Sequence, residues 1–442
     1  MARKELSSEE RQKIKDSLKA TRERRKTQVL KVFELKVNCH HTSKETFRKL
    51  NDCFKQSKWV YNDMLNFGNT EENNIFDYEY LDHKIITRID KNGNKINEIL
   101  TFGSVYHRAL IKQVKTNIIN LAKAKEKGLK VGKLKFVSEI NSIPIITGFV
   151  KIKDKKHITI PTFSNLCVYG LEQLNKYKSY EIADGKLVRK ASGIYIKISV
   201  CINKDNFKTE MKNKTVGLDF GIKDNIITSD GEKFNCNVPE SEQLKFLQRQ
   251  LHRKQEGSKR YYRLRNQIKR EYEHLLNKKT DESNKLIHHL KTNYDMIYFQ
   301  DEMISKWKKE KHSCKTGRKC GFSFGRQVQK SYLGRVKAKL VSLEKDDGAF
   351  KIPKNLPTTK YCPKCGNLNK EITLADRIYN CSCGYSCDRD VHAAKNVKLF
   401  GSIKRAECLE QASAETLAST ALNLCSIPQA KSMKRKQKAD SL

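Results

Sequence analysis

Cys362 and Cys365 stand as a Cys-x-x-Cys knuckle, and Cys381 and Cys383 as a tighter Cys-x-Cys pair with Cys387 close behind. All five fall in residues 361–396, YCPKCGNLNKEITLADRIYNCSCGYSCDRDVHAAKN. Thiolates on two short turns, separated by a spacer of this size, can converge on one ion and complete a tetrahedral zinc site. Gly366 and Gly384 each follow a cysteine, where a tight knuckle needs a permissive backbone. Buried free thiols are the plain alternative, but they would be scattered instead of grouped in two knuckles. The second knuckle is one residue short of the usual spacing. Either Cys381 and Cys383 both bind, or Cys387 replaces one of them; Cys381 and Cys383 are favoured.

Directly behind the cysteines, Asp388-Arg389-Asp390 opens a helical stretch. Acidic residues at a helix start are ordinary caps. The sharper expectation is that one carboxylate caps the helix while its neighbour points into a metal site, and that choice needs partners elsewhere in the chain. Two segments offer them. In KTVGLDFGIKDNIITSDG an apolar strand, Val216 to Leu218, runs into Asp219 and a glycine turn. A second short apolar strand, Met296 to Phe299, ends in Gln300-Asp301-Glu302. Carboxylates at Asp219, Glu302 (or Asp301) and Asp390 suit two Mg²⁺ ions about 3.5–4 Å apart, a pair that activates water and stabilises the leaving oxygen in phosphodiester cleavage. Oxygen donors fit Mg²⁺ and the separate thiols fit Zn²⁺. His312, Cys314 and Cys320 are a weaker second-metal candidate, because their spacing matches no zinc pattern.

The elements that must position these groups divide the chain by composition. Its 442 residues allow two to four domains with real cores. Lys and Arg number 89 against 50 Asp and Glu, a formal charge of +39 spread along the whole length. A globular protein this basic calls for a polyanionic partner, nucleic acid before an anionic membrane surface. No apolar run approaches the roughly 20 residues of a spanning helix. The charged start MARKELSSEERQKIKD reads as no signal peptide, so the 14 cysteines read as intracellular thiols and metal ligands.

Residues 1–27 read as a basic arm or loose helix, and 28–38 as a strand from the alternation of Leu30, Val32 and Leu35. Thr42 and Glu45 suggest a capping box before a helix carrying Phe47, Leu50, Phe54 and Tyr61. A second helix is expected over about 103–127. Trp59 and nearby tyrosines could stack on bases, although such residues are more often core. Residues 133–203 alternate β-branched and polar residues between Gly, Pro and Asp, which predicts an antiparallel β module, a small barrel that the strand at 28–38 could join. Long basic helices follow over 240–292, their Lys and Arg face either solvated or set against phosphates. A helix over about 327–345 leads to the cysteine ribbon. Another runs to about 400, before a polar tail read as disordered.

GLDFG, the strand ending in QDE, and CPKCG…CSCGYSCDRDVHAAKN, in that order, closely resemble the TnpB family of transposon-encoded RNA-guided nucleases and the related miniature type V CRISPR effectors. The resemblance covers roughly residues 212–400. It implies a multidomain α+β chain. A β-barrel wedge (28–40 and 130–211) would surround a helical recognition domain (41–129). An RNase H-like RuvC nuclease domain (212–357 and 388–402) would carry an inserted zinc ribbon (358–387), with an arm at 1–27 and a tail at 403–442. By motif, Asp219, Glu302 and Asp390 would be the catalytic magnesium ligands, and Cys362, Cys365, Cys381 and Cys383 the zinc ligands. Gln300 stands where the family often has a glutamate, so Asp301 stays open beside Glu302. His392 stands where many members have asparagine. The implied partners are a guide RNA and a DNA target, double- and single-stranded, with a homodimer on one guide left open and no membrane. The implied location is the cytoplasm of a prokaryotic cell. The activity would be RNA-guided, Mg²⁺-dependent DNA cleavage at a single site. The alternatives are a non-cleaving guided repressor and a guide-independent, transposase-associated nuclease.

Overall fold

A computed structural model describes residues 7–80, 82–89, 93–100, 103–146, 148–207, 212–307, 324–344, 347–373 and 376–424. The chain divides into two compact units, Met1–Thr209 and Glu210–Leu442.

The first unit opens with helix α1 (Ser8–Lys26), which buries no residue and is started by a reciprocal Ser7/Glu10 capping box. Strand β1 (Gln28–Val37) turns Phe33, Leu35 and Val37 inward. Helix α2 (Lys44–Phe67) is capped by Ser43, whose hydroxyl accepts the Thr46 N–H at 3.1 Å. The cap is therefore one residue later than Thr42, whose hydroxyl is engaged by the Asn38 carbonyl at 2.7 Å. A hairpin, β2 (Ile85–Ile89) and β3 (Lys95–Ile99), precedes helix α3 (Ser104–Glu126). Trp59 is buried here with Val60, Met64, Tyr78 and Leu110, so it serves as core.

Six further strands follow: β4 (Ser142–Ile145), β5 (Lys151–Ile152), β6 (His157–Ile160), β7 (Phe163–Tyr169), β8 (Tyr180–Lys190) and β9 (Gly193–Asn203). The sheet order is β4-β8-β9-β1-β7-β6-β5, with every pair antiparallel. Strand β1 thus joins the module expected from residues 133–203, and the helical block lies between two strands of one sheet in sequence. The alternating strand β9 supplies Ile194, Ile196, Ile198, Val200 and Ile202 to the core, all at most 2% exposed.

The second unit is built on a five-stranded sheet. Strands β10 (Thr215–Phe220), β11 (Ile226–Thr228) and β12 (Lys233–Phe234) form an antiparallel meander. Helices α4 (Glu242–His252) and α5 (Lys259–Asn293) then lead to β13 (Met296–Gln300), which pairs parallel with β10. Helices α6 (Ile304–Trp307), α7 (Gly325–Lys330) and α8 (Leu333–Glu344) precede β14 (Ala349–Ile352), parallel to β13. The sheet order is β12-β11-β10-β13-β14. The single helix expected over 327–345 is broken at Ser331, which bridges Asn237.

Side chains alternate across a strand, so this sheet has two apolar faces. Val216, Leu218, Phe220, Ile297 and Phe299 pack with residues of α5 and α8. Met296, Tyr298 and Ile352 face the other way, onto Val397 and Phe400 of helix α9 (Arg389–Leu424). That last helix continues well past the end expected near residue 400; Ala, Leu and Glu are frequent in 401–424 and no proline interrupts them. Between β14 and α9 lies the cysteine segment with its own hairpin, β15 (Ile378–Asn380) and β16 (Ser386–Asp388).

Candidate active site and metal centre

Strand alternation decides where Asp219 points. Gly217 and Asp219 share the face of β10 opposite Leu218 and Phe220, the face that α9 covers. Gly217 is what lets α9 come so close. A Cβ built there would clash with the Ala394 carbonyl and stand 2.6 Å from the Lys398 backbone N. Gly217→Ala is therefore expected to cost about 1–3 kcal/mol through overpacking and to push the start of α9 away from Asp219. A thermal melt and a cleavage assay on the same preparation check this, and loss of cleavage with an unchanged melt would contradict the packing argument.

The two aspartates at the start of α9 have separate roles. Asp388 Oδ1 accepts the backbone N–H groups of Asp390 (3.0 Å) and Val391 (3.1 Å), so Asp388 is the cap. The Asp390 carboxylate is left to the Arg389 guanidinium, whose Nε and Nη2 donate to Oδ1 at 3.2 and 3.0 Å. Asp388 thus takes the capping role expected of one of the pair, and Asp390 is not used as the cap.

At the end of β13 the residues Gln300, Asp301 and Glu302 have different surroundings. Gln300 is buried, and its Nε2 donates to the carbonyls of Pro353 (3.3 Å), Lys354 (3.0 Å) and Leu356 (3.2 Å). A carboxylate has no proton to give such a cluster of acceptors, which explains an amide at this place. Asp301 lies between two lysines, Lys337 at 2.7 Å and Lys351 at 3.6 Å, and Lys337 first of all holds its carboxyl below the usual range. Glu302 has no such partner among the described residues, and its charge is felt at Asp219.

That coupling is the main electrostatic feature of the site. Burial, then the charge of Asp390, then that of Glu302 push the Asp219 carboxyl up from 3.8 to about 7. Three carboxylates on β10, after β13 and on α9 thus share one field. Their ligand atoms do not lie as close together as those of the cysteine cluster described next. The donor set fits a hard divalent cation such as Mg²⁺, being all oxygen and short of positive charge.

The four expected cysteines meet. The Sγ atoms of Cys362, Cys365, Cys381 and Cys383 all lie within 4.8 Å of one another. The Cys362–Cys383 and Cys365–Cys381 separations are 3.7 and 3.5 Å. Four Zn–S bonds of about 2.3 Å in a tetrahedron require edges of about 3.8 Å, so the thiols fit zinc. Gly366 (φ 76°) and Gly384 (φ 82°) occupy the left-handed positions of the two knuckles. Cys387 is outside the group; Lys395 Nζ lies 3.8 Å from its sulfur. His312, Cys314 and Cys320 lie outside the described residues. Cys365→Ser is expected to lose the metal. Zinc release measured with a chromophoric chelator should fall from one equivalent to none, and retention of a full equivalent would remove Cys365 from the ligand set.

Two buried residues join the ribbon to α9, and neither was singled out as a structural tie from sequence. The His392 ring stacks on Tyr379 of the ribbon hairpin, centroids 3.7 Å apart and planes 14° apart. Asn396 Nδ2 donates to the carbonyls of Thr358 and Tyr361, both at 2.7 Å. Burial pushes the His392 imidazole down to about 4, so it stays neutral at physiological pH and stacks as an uncharged ring. The only sequence signal was helical spacing: residues 392 and 396 are one turn apart.

Two families match parts of this sequence. Residues 348–397 match the family described as Cas12f1-like, TNB domain, and residues 198–308 match a family described as probable transposase. The resemblance to the TnpB family holds. The TnpB-like chain is 24% identical over 189 residues to a putative RNA-guided DNA endonuclease of Streptomyces pristinaespiralis, covering 42% of this chain and 45% of that one. It is 27% identical over 196 residues to the putative RNA-guided DNA endonuclease InsQ of Escherichia coli K12, covering 42% and 48%. The aligned part thus spans less than half the length of these curated relatives. Among solved structures, a Cas12f1–sgRNA–target DNA complex aligns over 84% of this chain and 99% of that one, at 12% identity and a TM-score of 0.43. No described helix is long and apolar enough to cross a membrane.

Proposed function

We propose that this TnpB-like chain is an RNA-guided, Mg²⁺-dependent DNA endonuclease with one RuvC-like active site formed by Asp219, Glu302 and Asp390. The observation that carries the reading is the shared field of these three carboxylates, which raises Asp219 to about 7 through burial and through Asp390 and Glu302. The strand order β12-β11-β10-β13-β14, an antiparallel meander followed by two parallel strands, supports an RNase H-like reading of the second unit. In the first unit, the sheet that takes in β1 supports a wedge domain interrupted by a helical recognition block. The relatives' names as RNA-guided DNA endonucleases support the substrate class.

Two Mg²⁺ ions, when bound, would activate the attacking water and stabilise the leaving oxygen of the phosphodiester. The chain's own residues set the stage for this. Asp219 presents its carboxylate from a rigid central strand. Asp390 presents its own from the first turn of α9, with Asp388 capping the helix so that Asp390 is not needed there. Arg389 screens Asp390 at 3.0 Å. The +39 charge attracts the guide and target phosphates, and base pairing by the guide supplies sequence choice. Four thiolates would hold Zn²⁺ in a structural ribbon that His392 and Asn396 anchor to α9.

The reading is tested by co-expressing the chain with its native flanking locus and sequencing the RNA that co-purifies. A plasmid library with the matched target and randomised flanks is then added. A defined RNA and Mg²⁺-dependent loss of one class of flank are expected. No defined RNA would end the guided reading, and a defined RNA with guided binding but no cut would leave a repressor.

A further inference from the structure

We propose that Lys337 is a positioning residue for the second carboxylate, gripping Asp301 and the Glu302 carbonyl together so that the Glu302 side chain is aimed at the cation site. The inference rests on the carboxylate assignment above and extends it to a residue of a different element.

Lys337 is on α8, a helix anchored in the core by Leu333, Val336 and Leu340, each at most 1% exposed. Its own side chain is only 19% exposed. From there Nζ donates to Asp301 Oδ1 at 2.7 Å and to the Glu302 carbonyl at 2.5 Å. One ammonium thus bridges two consecutive residues just past β13. The rest of this turn is equally determined. Asp301 N–H donates to Ile352 O at 3.0 Å, Glu302 N–H to Gln300 O at 2.8 Å, and Ile304 N–H to Glu302 O at 3.1 Å. Gln300 closes the turn from below through three carbonyls of 353–356. The Asp301 side chain and N–H and both polar groups of the Glu302 backbone are thus engaged, while the Glu302 carboxylate has no hydrogen bond among the described residues. An acid held this way loses little freedom when it takes a cation, because its backbone is already ordered.

Geometry and charge make opposite forecasts for removing the lysine. If Lys337 acted only as a nearby positive charge, Lys337→Met would leave Asp301 less neutralised and tighten cation binding. If it positions the turn, the same change weakens cation binding, because Glu302 is released from its place.

The test is a calorimetric titration of the full-length, zinc-loaded chain with Mn²⁺ and no nucleic acid, with a thermal melt of each variant. Wild type is expected to bind Mn²⁺ in an Asp219-dependent manner, shown by loss in Asp219→Asn. Lys337→Met should weaken binding about 10- to 100-fold, the usual effect of removing a group that orients a metal ligand. Lys337→Arg keeps the cation and its donors and should recover most of the affinity. Lys339→Met is the structural control. Lys339 is two residues along α8 and bonds Ser283 at 2.6 Å on α5, so its loss should lower the melt and leave Mn²⁺ affinity unchanged. Should Lys337→Met fail to fold, Asp301→Asn, which removes the carboxylate under the lysine, is expected to weaken binding several-fold. Wild-type affinity, or tighter, in a folded Lys337→Met or Asp301→Asn protein overturns this proposal alone. Absence of Asp219-dependent binding in the wild type overturns the carboxylate assignment as well.

Discussion

Asp219→Asn is expected to abolish Mg²⁺-dependent cleavage and, at the same time, to stabilise the metal-free protein above neutral pH. The first effect follows from the proposed ligand role, in which the bound cations would supply several kcal/mol to the transition state, a factor of roughly 10³ or more. The second follows from the same carboxylate's raised pKa. Folded Asp219 titrates at about 7 in place of 3.8, so folding favours its protonated form. The resulting stability is fully present below about pH 4 and is lost as pH rises through about 7. Metal-free wild type should therefore melt progressively lower across that window, and Asp219→Asn should flatten the slope. At pH 8 the asparagine variant should be about 1–3 kcal/mol more stable without metal, the usual direction when an active-site charge is neutralised. Adding Mg²⁺ should raise the wild-type melt and leave the variant's unchanged. A variant less stable than wild type at pH 8 without metal would show that Asp219 is a structural ion and not a strained ligand.

Glu302→Gln is expected to remove cleavage by roughly 10³-fold, whereas Asp301→Asn reduces it by roughly 10-fold. The two acids are adjacent, yet their surroundings differ. Asp301 is already paired with Lys337 at 2.7 Å and with Lys351 at 3.6 Å, and a cation would have to displace both ammonium groups to reach it. Glu302 has no ion-pair partner among the described residues, and it is one of the two carboxylates that raise Asp219. Its removal should therefore also move the metal-free stability slope of Asp219 to lower pH. Single-turnover cleavage of a matched target at saturating guide compares the variants. The reverse ranking, with Asp301→Asn the silent enzyme, would exchange the two assignments and leave Glu302 as a surface acid.

Much of this site was legible in the residues because its chemistry depends on short, local patterns. Paired knuckles of cysteines with glycine behind them admit few arrangements, and the four sulfurs meet as the spacing suggested. Asp219 at the end of an apolar run, and a second run ending in QDE, were readable because buried parallel strands are short and almost wholly apolar. What escaped depends on contacts between distant segments. Strand β14, Ala349–Ile352, is four residues long and becomes a strand only by lying beside β13. The hairpin β2–β3 also escaped, although the Asn92-Gly93 dipeptide is a turn signal. Gln300 looked like a missing carboxylate, because the three carbonyls it serves come from 353–356. The difference in surroundings between Asp301 and Glu302 comes from Lys337, 36 residues from Asp301. Thr42 and Ser43 were both good caps by type, and only the Asn38 carbonyl decided between them.

In the proposed function, one carboxylate cluster in this chain cuts DNA chosen by a bound RNA. The most direct measurement is cleavage of a labelled linear duplex by the purified complex of protein and its own co-purified RNA. Matched and mismatched targets are each assayed in Mg²⁺ and in EDTA. Cuts are expected only in the matched target and only with Mg²⁺, and none with Asp219→Asn at equal target binding. Cleavage that ignores the match between RNA and DNA, or that survives Asp219→Asn, would contradict it.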